Sequence, residues 1–280
     1  MSESLAILVL GMHRSGTSAL ARTLALAGAG LPATLVPPTP GDNDFGYWES
    51  MQIVQFHERL FRKLGTAMLE PTPTEQSWFA TPDAQVEVET LARLLKAEWG
   101  DHPCWVVKEP RACRFIPIWR QALESIGRRA VVVVPLREPA EVASSLARRD
   151  GFPRPVAELL WALHAGAAER ETRGMPRVFS TYHELLDDWR SVVDRVAALL
   201  PAGMLDPARD EASIDTFLSR SLRHHAVDGD TPADPAIRSL RDRLLGAARE
   251  RREPSAAAID AAWDSIFGSA VRRPVPVATA

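Results

Sequence analysis

The sequence predicts an α/β protein: a parallel sheet of about four or five strands flanked by helices. Three observations point there. Short apolar runs at residues 5–10, 104–107, 131–135 and 177–180 are continuous rather than alternating, the pattern of strands covered on both faces. Between them lie segments whose apolar positions recur at helical spacing. Of the 280 residues, 46% are hydrophobic and 25% charged, ordinary globular usage that excludes disordered, collagen-like and disulfide-scaffold chains.

The charge balance narrows the function classes. With 33 basic and 36 acidic residues there is no general basic field for nucleic acid or a membrane surface, so any anion site must be local. No stretch approaches the ~18 apolar residues of a membrane span. The N-terminus lacks the basic stretch and long apolar run of a leader, so a cytoplasmic protein is expected. Cys104 and Cys113 are too few for a disulfide framework or a four-ligand metal site and are expected as buried thiols. The Ala- and Arg-rich composition, with Lys63, Lys96 and Lys108 the only lysines, points to a GC-rich bacterial source.

Taken in order, residues 5–10 form a strand that ends at Gly11. Strong helix formers follow at 18–27 and stop near Gly28 and Gly30. Four prolines (Pro32, Pro37, Pro38 and Pro40) make 31–43 a loop. Residues 50–64 set Ile53, Phe56, Leu60 and Leu64 on one helical face. Thr81-Pro82 starts a helix that runs to Trp99, before Gly100. The valine-rich strands 104–107 and 131–135 each follow a helical segment. Residues 139–149 are helical with proline at the start, and 156–173 are amphipathic through Leu159, Leu160, Leu163 and Ala167. The strand 177–180 precedes one more helix at 185–200. A single domain is expected through residue 268, its part beyond about 230 a helical accessory, with a flexible tail at 269–280.

The chemistry concentrates between the first strand and first helix, in Gly11-Met12-His13-Arg14-Ser15-Gly16-Thr17-Ser18. A glycine-bearing turn there aims backbone N–H groups at one spot, at the positive end of the helix dipole. Ser15, Thr17 and Ser18 add hydroxyls. The spacing resembles a Walker A loop, but Thr17 stands where the lysine should be and the positive charge is on Arg14. No later apolar strand ends in an aspartate for Mg²⁺; two of them run into Lys108-Glu109 and Arg137-Glu138. No metal is expected.

The loop resembles the 5′-phosphosulfate loop of sulfotransferases that use 3′-phosphoadenosine 5′-phosphosulfate (PAPS). It is most similar to the branch reading R-S-G-T-[ST], which includes tyrosylprotein sulfotransferases and many bacterial enzymes. The resemblance implies a P-loop NTPase-like fold, PAPS as co-substrate, and donor contacts from His13, Arg14, Ser15, Gly16, Thr17 and Ser18. It further implies that Arg137 and Ser145, eight residues apart, clamp the 3′-phosphate; alone, Arg137 reads equally as a partner of Glu141. Gly46-Tyr-Trp-Glu49 is similar to a G-[YF]-[WF]-E segment in bacterial members, which carries the role of base to Glu49. Otherwise Glu49 is a glutamate of the helix's first turn, favoured by its dipole. Tyr47 and Trp48 read as an acceptor wall or as core.

Val106-Val-Lys108-Glu-Pro-Arg111 resembles the K-D-P segment whose lysine steadies the reacting sulfate, with Glu109 in place of aspartate; the alternative is a surface lysine. Arg111 assists or pairs with Glu109. Arg14 would act with Lys108 on the developing charge. None of the histidines has a carboxylate partner visible in the sequence. His57 and His102 are expected to be structural and His13 a nucleotide contact, though a histidine base stays open. Ser221-Leu-Arg223-His224-His225 reads as a loop, with Arg223 a candidate lid contact and no metal role for the histidines. The implied reaction is metal-independent sulfuryl transfer to a hydroxyl of a small molecule, carbohydrate or peptide, with no nucleic-acid partner. A P-loop kinase of a small metabolite and a non-catalytic nucleotide-binding protein are the alternatives.

Overall fold

The computed structural model describes residues 4–221 and 231–268. Four parallel strands, β1 (Leu5–Val9), β2 (Cys104–Lys108), β3 (Arg129–Leu136) and β4 (Arg177–Thr181), form one sheet in the order β2-β1-β3-β4. β1 therefore has neighbours reached by connections running in opposite directions, which opens a crevice beyond its carboxyl end. Val9 is in register with Lys108 of β2 and Val133 of β3. β3 then runs three residues further and delivers Arg137.

The continuous apolar runs have a direct explanation. On β1, Leu5, Ile7 and Val9 face a core built with α1 (Thr17–Leu26) and α8 (Trp189–Ala197). Ala6, Leu8 and Leu10 face the other core, built with α2 (Met51–Lys63), α3 (Pro82–Trp99), α4 (Ile116–Ser125) and α6 (Arg154–Glu171). Both faces are buried, so neither strand parity can be polar. Cys104 and Cys113 are free and buried. Burial pushes their thiols up to about 11 and about 12, so both stay protonated at neutral pH.

Local signals set most helix boundaries. Ser50 caps α2 by accepting the Ile53 N–H at 3.2 Å, and Thr81 caps α3 by accepting that of Ala84 at 3.2 Å. Proline opens α5 (Pro139–Asp150), as expected for a first helical residue. The helix expected at 185–200 is instead two, α7 (Tyr182–Asp187) and α8. Asp188 breaks it, extended at φ −149°, and its side chain caps α8 by accepting the Ser191 N–H at 3.2 Å. Capping by aspartate outweighs an apolar period that continues through the break.

Ser221, expected on a loop, closes a helix, α9 (Glu211–Ser221). Arg223, His224, His225 and the tail expected at 269–280 lie outside the described residues. α10 (Pro235–Arg249) and α11 (Ala256–Phe267) pack on α6, where a Cβ at Gly166 would lie 2.7 Å from the Trp263 ring. Among the described residues no helix is long and apolar enough to cross a membrane.

Candidate active site

The loop after β1 is built for close approach. At Gly11 a Cβ would meet the Pro135 carbonyl oxygen at 3.0 Å. Arg14 at φ 71° and Gly16 at φ 85° both adopt left-handed backbone, which curls the chain so that its amides point inward. At Gly16 a Cβ would also sit 2.4 Å from Tyr182 Cδ2, so only glycine fits. α1 begins without a side-chain cap and without an acidic residue in its first turn. Its leading N–H groups and positive dipole end are thus left for a ligand. Two buried side chains share that need. Ser15 Oγ and both ring nitrogens of His13 make no hydrogen bond among the described residues.

Burial, with the nearby His164, Arg149, Lys108 and Arg111, holds the His13 pKa well below its ordinary value. His13 is therefore a neutral imidazole with one N–H to donate. Donors without acceptors are what a bound phosphate or sulfate needs. Thr17 is buried at the start of α1. Ser18 is already engaged: its hydroxyl donates to the Tyr47 carbonyl at 3.3 Å and accepts from Asn43 Nδ2 at 3.4 Å.

Three guanidinium groups converge beside the loop. Arg14 Nε donates to Ser145 Oγ at 2.8 Å, joining residues 131 apart in sequence. Arg137 donates through one terminal nitrogen to the Arg14 carbonyl at 3.1 Å, and its guanidinium lies over the Tyr182 ring, 4.4 Å from its centre. Arg14, Arg137 and Ser145 therefore share one region. Arg137 also donates to Glu141 at 2.6 Å, the pairing that the sequence offered as its other reading. Asp42 bridges Arg14 at 2.9 Å and Arg149 at 3.5 Å, and accepts the Tyr47 hydroxyl at 2.6 Å. Sequence reasoning missed Arg149, although it lies one turn beyond Ser145 on α5, a spacing that places both on one helix face. Burial lowers the Arg14 pKa, Asp42 opposes this, and the Arg149 and Arg137 charges add to the lowering.

The third element is a buried ion cluster around Glu49. Gly46 at φ 94° and Trp48 at φ 60° turn the chain ahead of it, and the Glu49 carbonyl accepts the Val36 N–H at 2.9 Å. Glu49 precedes the Ser50 cap, so it is not a first-turn glutamate. Its carboxylate pairs with Lys108 and, at 3.4 Å, with Arg111. The Lys108 side chain is only 3% exposed, which corrects the surface-lysine alternative. Trp48 packs into the core beneath α1, under the Arg22 guanidinium at 4.6 Å.

Arg111 both touches Glu49 and pairs with Glu109 at 2.9 Å. Burial opposes ionisation of Glu109, but Arg111 and His57 hold its carboxyl well below the usual range. His57 thus has the carboxylate neighbour that the sequence did not reveal, Glu109 at 3.7 Å. It is fully buried and accepts the Trp119 indole N–H at 3.2 Å, a structural role. His102 lies within 2.7 Å of the Cys104 carbonyl at the start of β2. No group of three or more His, Cys, Asp or Glu among the described residues could hold a metal ion.

No protein-family model and no curated protein sequence matches the chain. Solved structures do resemble it. A sulfotransferase domain from the Synechococcus PCC 7002 olefin synthase is 17% identical at a TM-score of 0.47, the match covering 99% of this chain and 98% of that one. A sulfotransferase domain from the curacin biosynthetic pathway is 15% identical at 0.41, covering 99% and 93%. A sulfotransferase of Mycobacterium tuberculosis H37Rv is 15% identical at 0.41, covering 76% and 71%. Similarity this distant assigns no activity. The chemistry has to come from the residues of the site.

Proposed function

We propose that the protein transfers a sulfuryl group from PAPS to an acceptor hydroxyl by in-line displacement. The observation that carries this reading is the loop's set of unpaired polar groups, with Arg14, Arg137 and Ser145 joined beside it and the buried Glu49–Lys108 pair at the end of the neighbouring strand. His13, Ser15, Gly16, Thr17 and Ser18 would receive the 5′-phosphosulfate, and Arg137 with Ser145 the 3′-phosphate, by the bidentate geometry arginine offers. Arg223 is kept as a candidate donor contact outside the described residues.

In the reaction the acceptor oxygen bonds to sulfur as the bond from sulfur to the 5′-phosphate oxygen breaks. The acceptor proton passes to Glu49, and 3′-phosphoadenosine 5′-phosphate leaves. Lys108 and Arg14 balance the charge that develops on the transferring group and leaving phosphate. Positioning supplies much of the remaining rate, as in phosphoryl transfer. The acceptor class is a hydroxyl on a small molecule, carbohydrate or peptide.

Thermal unfolding with PAPS, 3′-phosphoadenosine 5′-phosphate or ATP–Mg²⁺ tests the reading. A ligand at 100 times its Kd adds about 2.7 kcal/mol, which raises Tm by several degrees in a chain of this size. Both adenosine sulfate-pathway ligands are expected to stabilise. Stabilisation by ATP–Mg²⁺ alone overturns the proposal in favour of a kinase. Binding without sulfate transfer to any hydroxyl leaves a nucleotide-binding protein.

A further inference from the structure

Glu49 holds two cations, one on each oxygen: Lys108 on Oε1 and Arg111 on Oε2. A base so engaged is neutralised twice, and something must release it before it accepts a proton. The two cations differ in what else secures them. Lys108 ends a flexible four-carbon stem at the end of β2 and pairs with Glu49.

Arg111 is fastened from several directions. Its guanidinium donates to Glu109 Oε1 at 2.9 Å and to Glu58 Oε1 at 3.1 Å, and its backbone N–H donates to the same Glu109 oxygen at 2.9 Å. Glu109 is itself buried, its side chain 2% exposed, and its second oxygen lies 3.7 Å from His57 Nδ1 without a hydrogen bond. His57 is held by the Ile53 carbonyl at 3.1 Å and the Trp119 indole at 3.2 Å. A buried polar chain thus runs from Glu109 through Arg111 to Glu49, with His57 packed behind Glu109.

We propose that Arg111 is the fixed partner of Glu49 and Lys108 the exchangeable one: donor phosphosulfate draws Lys108 away, and Arg111 keeps the carboxylate aimed. Arg111 is a positioning residue, and the inference rests on the reading of Glu49 as proton acceptor. The physical reason is competition. A phosphosulfate beside the loop offers Lys108 more negative charge than one carboxylate, whereas Arg111 has Glu109 and Glu58 to hold it. Releasing Lys108 also frees Oε1 of Glu49, so donor binding would open that oxygen to the acceptor hydroxyl. The groups facing Glu49 are Lys108, Arg111 and, through Arg111, Glu58 and Glu109. From the loop, His13 lies close enough to feel the Lys108 and Arg111 charges but is held neutral.

The three lysines make the test direct. Labelling lysine with ¹⁵N at Nζ gives one buried signal, Lys108, and two from exposed positions, Lys63 and Lys96. In the free protein, Glu49→Gln is expected to shift the Lys108 signal, because it removes the carboxylate that Lys108 pairs with. Arg111→Gln should lower kcat by about 10²-fold with the KM for PAPS little changed, the effect of a misaimed carboxylate; Arg111→Lys should restore part of it. Saturating 3′-phosphoadenosine 5′-phosphate should shift Lys108 and leave Lys63 and Lys96 in place. An unchanged kcat in folded Arg111→Gln overturns the proposal. So does an unmoved Lys108 signal in wild-type protein whose Tm the ligand has raised, a measurement that needs no variant. If the ligand neither raises Tm nor moves any signal, the donor reading itself fails.

Discussion

The loop at Gly11–Ser18 and the cluster around Glu49 lie at the ends of adjacent strands and handle polarity in opposite ways. In the loop, polar groups go unanswered: Ser15 Oγ and the His13 nitrogens have no partners, and α1 has no side-chain cap. In the cluster, charges answer one another: Lys108, Arg111, Glu49 and Glu109 are all paired. A buried donor without an acceptor is costly, a cost that an anion bound under the proposed function would offset. A buried ion pair is costly to break and adds little net stability over an apolar substitute. Such a cluster is better understood as a set of charges that can be re-partnered. On the proposed reading, one region receives the ligand and the other rearranges for it.

The strongest way to break this contrast is Glu49→Gln. A neutral amide cannot accept the acceptor's proton, so kcat should fall by about 10²–10⁴ while 3′-phosphoadenosine 5′-phosphate still raises Tm. Steady-state transfer of labelled sulfate from PAPS measures the first, and thermal unfolding the second. Wild-type turnover would remove Glu49 from the chemistry and leave the loop as the functional region.

Acid should expose the loop side next. His164 lies against His13, ring centres 6.3 Å apart, and burial lowers its pKa from 6.5 to about 4. Below pH 6.5 the unfolded chain takes up a proton that the folded protein refuses, so stability falls as pH drops from 6.5 towards 4 and then levels. The loss from this group is about 3 kcal/mol. Chemical denaturation at a series of pH values measures it, and His164→Leu should flatten that part of the curve.

Gly16→Ala tests the loop's geometry. Left-handed backbone and contact with the Tyr182 ring should together lower stability by about 1–3 kcal/mol. Binding of 3′-phosphoadenosine 5′-phosphate should weaken by at least about tenfold as the loop amides shift. The calorimetric Kd decides this. A smaller effect of opposite sign is expected from Asp42→Asn. Removing the carboxylate that bridges Arg14 and Arg149 takes one negative partner from each, leaving Arg14 on Ser145 and Arg149 on Asp150, and the same ligand should bind a few-fold more tightly, the scale of a partly exposed ion pair. Weaker binding would mean that Asp42 shapes the site instead of occupying it.

Local signals account for what was legible in advance. The apolar runs marked all four strands because each is buried on both faces. Thr81-Pro82 and Gly100 bounded α3 because capping is a matter of neighbouring residues. The loop was legible because its donors are contiguous in the chain. Much of the site was not. Asp188 split an expected helix, since a side-chain cap there competes with periodicity. Arg149 and His164 were missed because each sits on a long helix whose pattern explains it without a site.

Sequence alone determined the elements and the residues that could do chemistry: propensity, caps and periodicity are short-range properties, written in consecutive side chains. Tertiary structure alone decided who meets whom. Arg14 reaches Ser145 across 131 residues and Lys108 reaches Glu49 across 59. No local preference encodes those pairings. They exist because a parallel sheet brings the carboxyl ends of β1, β2 and β3 to one edge, and because burying a charge there requires a partner from wherever the chain returns.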